Sequence, residues 1–268
     1  MNPETAVRGR FDFRVAAPSF LIPADWATNA RAVGHLVDEI ELLVLESREE
    51  SLPAPEVVAT LGEIAEGCGV TYNIHLPTDL GPGHPDRGIR QHAVRALNRA
   101  VDRLAPLTPT TYTLHLPFAA HDRQPASVRA WQGRINDFLG ALLDASKGHL
   151  GPQLLTVENI DTPPSWVWDA VSGRGVGYCF DVGHAMVRGE AVGEIFDRFK
   201  ARIPLLHIHG VAQERDHQAL TACDPRRRRQ LVDVLSGFGG TAVIEVFNRE
   251  AFWASVDWLQ SAFPRLSR

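Results

Sequence analysis

Lysine and cysteine are scarce in this 268-residue chain, which holds only Lys147, Lys200, Cys68, Cys179 and Cys223. The cysteines lie at long, unmatched spacings, which predicts neither a disulfide framework nor a Cys-x-x-Cys metal site. Such usage is typical of a reducing compartment, so we expect a cytoplasmic protein. Both lysines fall in stretches with a helical pattern. A Schiff-base mechanism, which needs a lysine at a catalytic strand end, is therefore disfavoured.

Long apolar runs and broad basic surfaces are also missing. No run approaches the roughly 18 apolar residues that span a bilayer, and the N-terminal MNPETAVRGRFDF lacks the apolar core of a signal peptide. We expect no membrane span. The net charge of −5 gives no reason to expect a nucleic-acid partner, and the arginine run at 226–229 is read as the solvated first turn of a helix. A small-molecule substrate is favoured, and the oligomeric state is left open.

Short β-branched segments alternate with longer amphipathic segments along the whole chain. The predicted strands are residues 11–17, 40–46, 71–76, 111–116, 153–158, 177–182, 205–209 and 242–247. The predicted helices are residues 26–38, 55–67, 86–104, 126–147, 164–172, 189–200, 225–236 and 250–262. This alternation predicts a (β/α)₈ TIM barrel forming one domain over residues 1–268. A doubly wound sheet is the alternative, but no Gly-x-Gly-x-x-Gly follows the first strand.

Histidines and carboxylates stand at the ends of the predicted strands. TYNIHLP at 71–77 and TYTLHLP at 111–117 each deliver a histidine just before a proline that ends the strand. Later strands end in the same way, and the full set is Glu46, His75, His115, Glu158, Asp181, His207, His209 and Glu245. In a barrel these ends meet at one mouth, where active sites form.

Crowding these groups into one mouth costs several kcal/mol per buried charge unless a cation or protons hold them together. A divalent metal is the simplest solution, and nitrogen and oxygen ligands without thiolate suit zinc, manganese or iron. A glycosidase would need two carboxylates but not the histidines. Metal-assisted hydrolysis and metal-assisted sugar isomerisation remain open on the residues alone.

The strand-end set resembles that of the xylose isomerase-like barrel superfamily, which includes the apurinic endonuclease family. The resemblance implies that Glu158, Asp181, His207 and Glu245 hold a metal. The endonuclease branch adds further histidines, which correspond here to His75, His115 and His184. Its Asp-x-His motif after strand seven is altered to RDHQAL, with Arg215 in place of the aspartate. We therefore expect one or two ions rather than three, most simply zinc or manganese.

Longer sequence segments resemble those of the cobamide-remodelling phosphodiesterases, the CbiR-like family. They include FRVAAPSFLIPADW, the paired HLP strands, CFDVGH, HIHGV and IEVFN. The resemblance covers nearly the whole chain. It implies hydrolysis of the phosphoribosyl bond in the nucleotide loop of a cobamide, which releases cobinamide phosphate and an α-riboside.

Roles for the remaining residues follow as hypotheses. His75, His115 and a bridging, catalytic Glu158 would hold a second ion, and His184, His209 or His217 would protonate the leaving group. Phosphate would be bound by Arg215 and Arg249. The apolar walls for a corrinoid would come from Phe118, with Phe20, Trp26 and Phe247. The alternatives are a sugar isomerase or epimerase, in which Glu158 and Glu245 move a proton, and a binding module without chemistry.

Overall fold

The predicted barrel is confirmed in the computed structural model, which describes residues 6–146, 148–213 and 215–264 and leaves Lys147 outside. Eight parallel strands form a closed barrel in the order β1-β10-β7-β6-β5-β4-β3-β2. The barrel strands are β1 (Arg14–Pro18), β2 (Glu39–Leu43), β3 (Thr71–His75), β4 (Tyr112–His115), β5 (Leu155–Glu158), β6 (Gly177–Asp181), β7 (Leu205–Ile208) and β10 (Thr241–Ile244). Between β7 and β10, β8 (Gly210–Ala212) and β9 (Arg215–Gln218) form an antiparallel hairpin that the sequence did not predict.

Helices follow the strands at the predicted places. They are α1 (Trp26–Val33), α2 (Pro55–Cys68), α3 (Arg87–Leu104), α4 (Pro125–Ala145), α5 (Pro164–Val171), α6 (Val182–Val187), α7 (Val192–Phe199), α8 (Pro225–Ser236) and α9 (Arg249–Ala262). The short α6 directly after β6 is additional to the prediction. The arginine run at 226–229 lies in the first turn and a half of α8, where Arg226 and Arg229 are exposed and Arg227 and Arg228 are half-buried. Among the described helices, none combines the length and apolar character that crossing a membrane requires.

Short polar side chains fix where the helices begin. Asp25, Asp86, Asp224 and Asn248 each accept a hydrogen bond from a backbone amide in the first turn of the following helix. Such caps satisfy amide groups that have no partner inside the helix, and each stabilises the helix by about 1 kcal/mol. The helix starts are therefore encoded locally. These caps also fix the point at which the preceding loop ends.

Contacts between residues divide the chain into two compact units. The first comprises residues up to Leu42, Thr60–Tyr72 and residues from Phe180 onward, and the second comprises Leu43–Ala59 and Asn73–Cys179. The boundaries of these units fall inside β2, α2, β3 and β6. The single-domain assignment remains a prediction.

A buried carboxylate lies at the amino-terminal end of the strands in the first unit. Glu39 in β2 is fully buried, and its Oε2 lies 3.1 Å from Arg14 Nη2 and accepts a hydrogen bond of 3.0 Å from Thr71 Oγ1. These partners stand at the starts of β1 and β3. Because a buried charge is tolerated only when it is paired, this network serves the fold at the end of the barrel away from the predicted mouth.

Candidate metal centre

In the second unit, two histidines converge on one carboxylate. His115 and Glu158 are direct partners in the register of β4 and β5, so their side chains leave the sheet on the same face. His115 Nε2 lies 2.9 Å from Glu158 Oε2, and His75 Nε2 lies 3.3 Å from the same oxygen. The two imidazole rings meet edge to face with centroids 4.6 Å apart. The predicted set of His75, His115 and Glu158 is therefore brought together.

The hydrogen bonds of His75 define which of its nitrogens carries a proton. Its Nδ1 lies 3.1 Å from the carbonyl oxygen of Leu76, which can only accept, so Nδ1 is the donor. In the neutral ring, Nε2 then directs a lone pair at the Glu158 carboxylate. Two electron-rich atoms at this distance need a proton or a cation to hold them. Metal-binding histidines commonly donate their other ring nitrogen to a carbonyl in this way, so the donor set fits a divalent metal.

In the first unit, Asp181, His207 and Glu245 each offer a ligand atom, and these atoms lie within 4.8 Å of one another. Asp181 ends β6, His207 stands in β7, and Glu245 directly follows β10. The three strands are consecutive in the barrel order. His207 Nδ1 lies 3.4 Å from Glu245 Oε2, and the side chain of His207 is fully buried. Two carboxylates and an imidazole form a set that suits a divalent cation.

The three histidines predicted as proton donors also meet in the first unit. His184, His209 and His217 offer nitrogen atoms within 4.8 Å of one another. Asp181 holds His184 by accepting a 2.6 Å hydrogen bond from its backbone amide. The fully buried ring of His209 directs Nε2 at Asp181 Oδ1, 3.3 Å away. That ring fills the space next to Gly183, where any Cβ atom would overlap it.

The β8–β9 hairpin places His217 in this group. His217 adopts a φ of 50°, a left-handed conformation that is uncommon for residues other than glycine. Its backbone amide donates a 2.9 Å hydrogen bond to His209 Nδ1. Its ring stacks on the ring of His209 with centroids 4.3 Å apart. The backbone is held in a strained conformation by contacts to a buried side chain, as is frequent at functional sites.

A profile of the family described as "Xylose isomerase-like TIM barrel" matches residues 28–262. The chain belongs to this family. Members of the superfamily typically bind divalent metals, and the clusters above supply potential ligands. The curated "Probable endonuclease 4" of Mycobacterium leprae (strain Br4923) is 20% identical over 156 residues, which are 57% of this chain and 62% of that protein. The chain thus spans less than two thirds of that relative.

Two kinds of solved structure in this superfamily share the fold. A D-tagatose 3-epimerase-like protein superposes with a TM-score of 0.76 and 16% identity, covering 93% of this chain and 96% of that chain. Endonuclease IV from Thermus thermophilus superposes with a TM-score of 0.72 and 14% identity, covering 92% of this chain and 99% of that chain. At these sequence identities, the likeness establishes the fold alone. Membership of the xylose isomerase-like family therefore does not decide whether the protein is a hydrolase or an epimerase, and that choice depends on the residues of the site.

Charges around His217 shape the electrostatics of this xylose isomerase-like barrel. Burial lowers the pKa of His217, but the hydrogen bond and negative charge of Glu245 outweigh burial and raise the pKa to about 9. Partial burial raises the pKa of Asp216, but the hydrogen bond and charge of His217 outweigh it, so the pKa lies below its ordinary value. In the absence of a metal ion, a cationic His217 therefore lies between two carboxylates.

The residues predicted to bind substrate lie at the surface or near it. Arg215 in β9 and Arg249 at the start of α9 are both exposed. Phe118 is half-buried against Trp131 and Trp166, with centroid distances of 5.3 Å and 5.5 Å. The guanidinium of Arg123 lies 5.7 Å from the centre of the Phe118 ring. Phe118 therefore belongs to an aromatic cluster of the second unit, and its contact with a substrate stays a prediction.

A second aromatic surface lies beside His217. Phe247 is 59% exposed and stacks nearly parallel on His217, with ring centroids 4.5 Å apart. Phe20 packs against Phe247, with ring centroids 5.7 Å apart. Together with His209, these rings form a stack that runs from a buried histidine to an exposed phenylalanine. Trp26, at the start of α1, is half-buried.

The prediction for β2 was wrong at Glu46. The strand ends at Leu43, and Glu46 lies in the following loop, where it accepts hydrogen bonds from Arg48 Nε and Ser51 Oγ, each 3.0 Å long. These hydrogen bonds lower the pKa of the carboxyl group of Glu46, a half-buried residue. The residue that the sequence reasoning missed is Glu41, which is buried in β2 and contacts His207. The signal was the pattern Glu-Ile-Glu, in which two carboxylates share one face of an apolar strand.

Proposed function

We propose that this protein is a metal-dependent phosphodiesterase that hydrolyses the phosphoribosyl bond in the nucleotide loop of a cobamide, giving cobinamide phosphate and an α-riboside. The observation that carries the proposal is the convergence of His75 and His115 on Glu158. With Glu158, this pair supplies a set of potential metal ligands in addition to Asp181, His207 and Glu245. The cobamide as substrate is supported by the resemblance in sequence to the CbiR-like phosphodiesterases.

We propose two ligand sets that share Glu158. The first comprises Glu158, Asp181, His207 and Glu245, which stand at the carboxyl ends of four consecutive strands in the barrel order. The second comprises His75, His115 and Glu158. Neutral imidazole and carboxylate donors without thiolate suit zinc or manganese. One or two ions would occupy these two sets, in keeping with the count expected from Arg215 in place of the family's aspartate.

A divalent ion at such a site supplies Lewis acidity, which activates water and neutralises charge on phosphate oxygens. The protein's own residues supply the remaining steps. His184 and His217 are partly exposed, and we propose them as donors of the proton that the leaving ribose oxygen requires. His209 is fully buried and accepts the amide of His217, so its contribution is to hold that donor in place.

Recognition of the substrate falls to exposed side chains around this centre. We propose that Arg215 and Arg249 bind the phosphate by paired hydrogen bonds, which the guanidinium geometry favours. We propose that the exposed Phe247, whose ring stacks on His217 and contacts Phe20, offers an apolar surface to a planar part of the substrate. Phe118 is proposed to contribute a further apolar contact to the substrate.

A metal-dependent sugar isomerase or epimerase is the alternative, since the set of Glu158, Asp181, His207 and Glu245 serves either chemistry. In that case a metal held by this set would supply the Lewis acidity that polarises a carbonyl, and Glu158 and Glu245 would transfer a proton. His75 and His115 separate the two functions, because proton transfer between carbons has less use for two further imidazoles on the same carboxylate. A non-catalytic binding protein is the third possibility.

The test is to incubate zinc- or manganese-loaded protein with adenosylated cobamides and, separately, with a panel of ketoses, and to identify products by mass. Cobinamide phosphate supports the phosphodiesterase, whereas a ketose epimer with unchanged cobamide supports the alternative. The variant Glu158→Ala, with its fold checked by circular dichroism, should lose turnover. Retained turnover in that variant would show that Glu158 is dispensable and would remove the shared ligand from the scheme.

A further inference from the structure

We infer that Glu41 is a positioning residue, which holds His207 in the tautomer and orientation that let it bind a metal through Nδ1. The inference rests on the proposed metal centre and adds a residue to it. His207 Nε2 lies 3.0 Å from Glu41 Oε1, across a separation of 166 positions in sequence. The side chains are 0% and 1% exposed, so this contact is shielded from water.

His207 has a carboxylate at each ring nitrogen, with Glu41 Oε1 3.0 Å from Nε2 and Glu245 Oε2 3.4 Å from Nδ1. The shorter contact favours the tautomer in which Nε2 carries the proton and donates a hydrogen bond to the Glu41 carboxylate. The neutral ring then presents the lone pair of Nδ1, which lies 3.4 Å from Glu245 Oε2 among the potential ligands of the first unit. A partner on the far nitrogen also raises the basicity of the ring and thereby strengthens it as a ligand.

Glu41 contacts the ring nitrogen of His207 that does not face the potential ligands, and it is not itself placed as a ligand. Within the described part of the chain, it belongs to no group of three or more potential ligands whose atoms lie within 4.8 Å of one another. His75 shows the same arrangement in the second unit, where the carbonyl oxygen of Leu76 accepts from Nδ1 and leaves Nε2 directed at Glu158. The Glu41 carboxylate, as the acceptor for His207, adds a negative charge that the Leu76 carbonyl does not add for His75.

The strand itself offers a matched control. Glu39 stands two residues earlier in β2, on the same face and equally buried, but its partners include Arg14, Thr71 and Thr241 at the other end of the strands. Glu41→Gln and Glu39→Gln therefore remove the same charge from the same strand at the same depth. A loss of stability that comes from altering any buried carboxylate in β2 should appear in both variants. The loss of the hydrogen bond to His207 should appear only in Glu41→Gln.

The experiment measures the affinity of metal-free protein for Zn²⁺ and Mn²⁺ by calorimetry or by competition with a chelator. Unfolding curves are recorded on the same samples. Glu41→Gln is expected to weaken binding by about 10- to 100-fold, and Glu39→Gln to leave it within a factor of about two. Glu41→Asp retains the charge with a shorter reach and should restore part of the affinity.

Equal affinity in the wild type and in Glu41→Gln would overturn the inference, as would an equal loss in both Gln variants. A wild type that binds neither ion would overturn it together with the metal centre. The assay does not depend on the substrate. A specific loss in Glu41→Gln alongside unchanged cobamide would therefore keep the role of Glu41 and refute the proposed phosphodiesterase.

Discussion

His115 and Glu158 stand opposite each other in the register of β4 and β5, with Nε2 of the histidine 2.9 Å from Oε2 of the glutamate. The parallel ladder brings the pair together, because register partners project on the same face. His75 reaches the same oxygen from β3. Three neighbouring strands thus deliver one side chain each to a single point, which is the feature that distinguishes hydrolysis from sugar isomerisation in the proposed scheme.

Replacing both histidines tests this distinction. His75→Ala with His115→Ala is expected to lower phosphodiester hydrolysis by at least about 100-fold, because the loss of metal-assisted charge stabilisation costs several kcal/mol in the transition state. Activity is measured by the appearance of cobinamide phosphate, and bound metal by elemental analysis. His149→Ala is the control, since His149 pairs with Asp102 on the surface. Full hydrolysis in the double variant would contradict the role given to the pair.

Gly183 tests the packing that supports the three histidines. In Gly183→Ala the new Cβ would overlap the ring of His209, which must then move, and we expect a loss of about 1–3 kcal/mol in the free energy of unfolding. The position of His217 should change too, since His209 accepts its amide. Unfolding in urea gives the free energy.

Gly193→Ala is a matched control for that substitution. Gly183 and Gly193 are each the second residue of a helix, in α6 and α7. At Gly193, however, a Cβ would meet no atom within 4 Å apart from its chain neighbours and the backbone of its own helix. Alanine there should leave stability unchanged or raise it by up to about 1 kcal/mol. Equal effects of the two substitutions would show that the contact with His209 is unimportant.

The metal-free protein should show an unusual titration at His217. Its pKa of about 9 lies above the ordinary value near 6.5 because of Glu245 and Asp216. A raised pKa in the folded state means that the stabilisation is complete below about pH 6.5 and is lost as the pH rises through about 9. The full effect is on the order of 3 kcal/mol.

Two measurements follow that titration. The chemical shifts of the His217 ring protons are recorded against pH by NMR, and unfolding curves are collected between pH 6 and pH 10. Glu245→Gln should shift the titration of His217 towards neutral pH, because it removes the carboxylate that favours the cation. A titration of His217 near pH 6.5 in the metal-free wild type would refute the electrostatic description of this cluster.

Phe247 tests recognition of a planar group in the substrate. Phe247→Ala is expected to raise KM by roughly 3- to 10-fold with a smaller change in kcat, because an aromatic stack contributes about 0.5–1.5 kcal/mol. Phe247→Leu retains apolar area without the flat ring and should resemble Phe247→Ala. Ile89→Ala removes an exposed apolar side chain from α3 and serves as the control. An unchanged KM in both Phe247 variants would exclude the stacking contact.

Much of this fold could be predicted from sequence because its signals are local. Most barrel strands are short segments rich in apolar residues, and prolines or capping side chains mark where helices begin, as at Pro55, Pro125 and Asp224. The strand-end histidines and carboxylates needed one further rule, that parallel strands in a barrel end at the same mouth. From that rule the clusters around Glu158 and His207 could be expected from the sequence alone.

The parts that escaped prediction depend on tertiary contacts. Glu41 was missed because its partner lies 166 positions away, and Glu46 was chosen instead because the apolar run of β2 continues past the true end of the strand. The β8–β9 hairpin has polar, partly exposed residues and no alternating apolar pattern in β9. The left-handed backbone of His217 is stabilised by its hydrogen bond to the buried His209 ring. No local sequence pattern predicts this contact.

The most direct measurement is mass analysis of the products that zinc- or manganese-loaded wild-type protein forms from an adenosylated cobamide in water labelled with heavy oxygen. Attack of water on phosphorus predicts cobinamide phosphate that carries the label in its phosphate, together with an unlabelled α-riboside. Cobamide that remains intact with both metals, while a ketose is epimerised by the same preparation, would contradict the proposed phosphodiesterase.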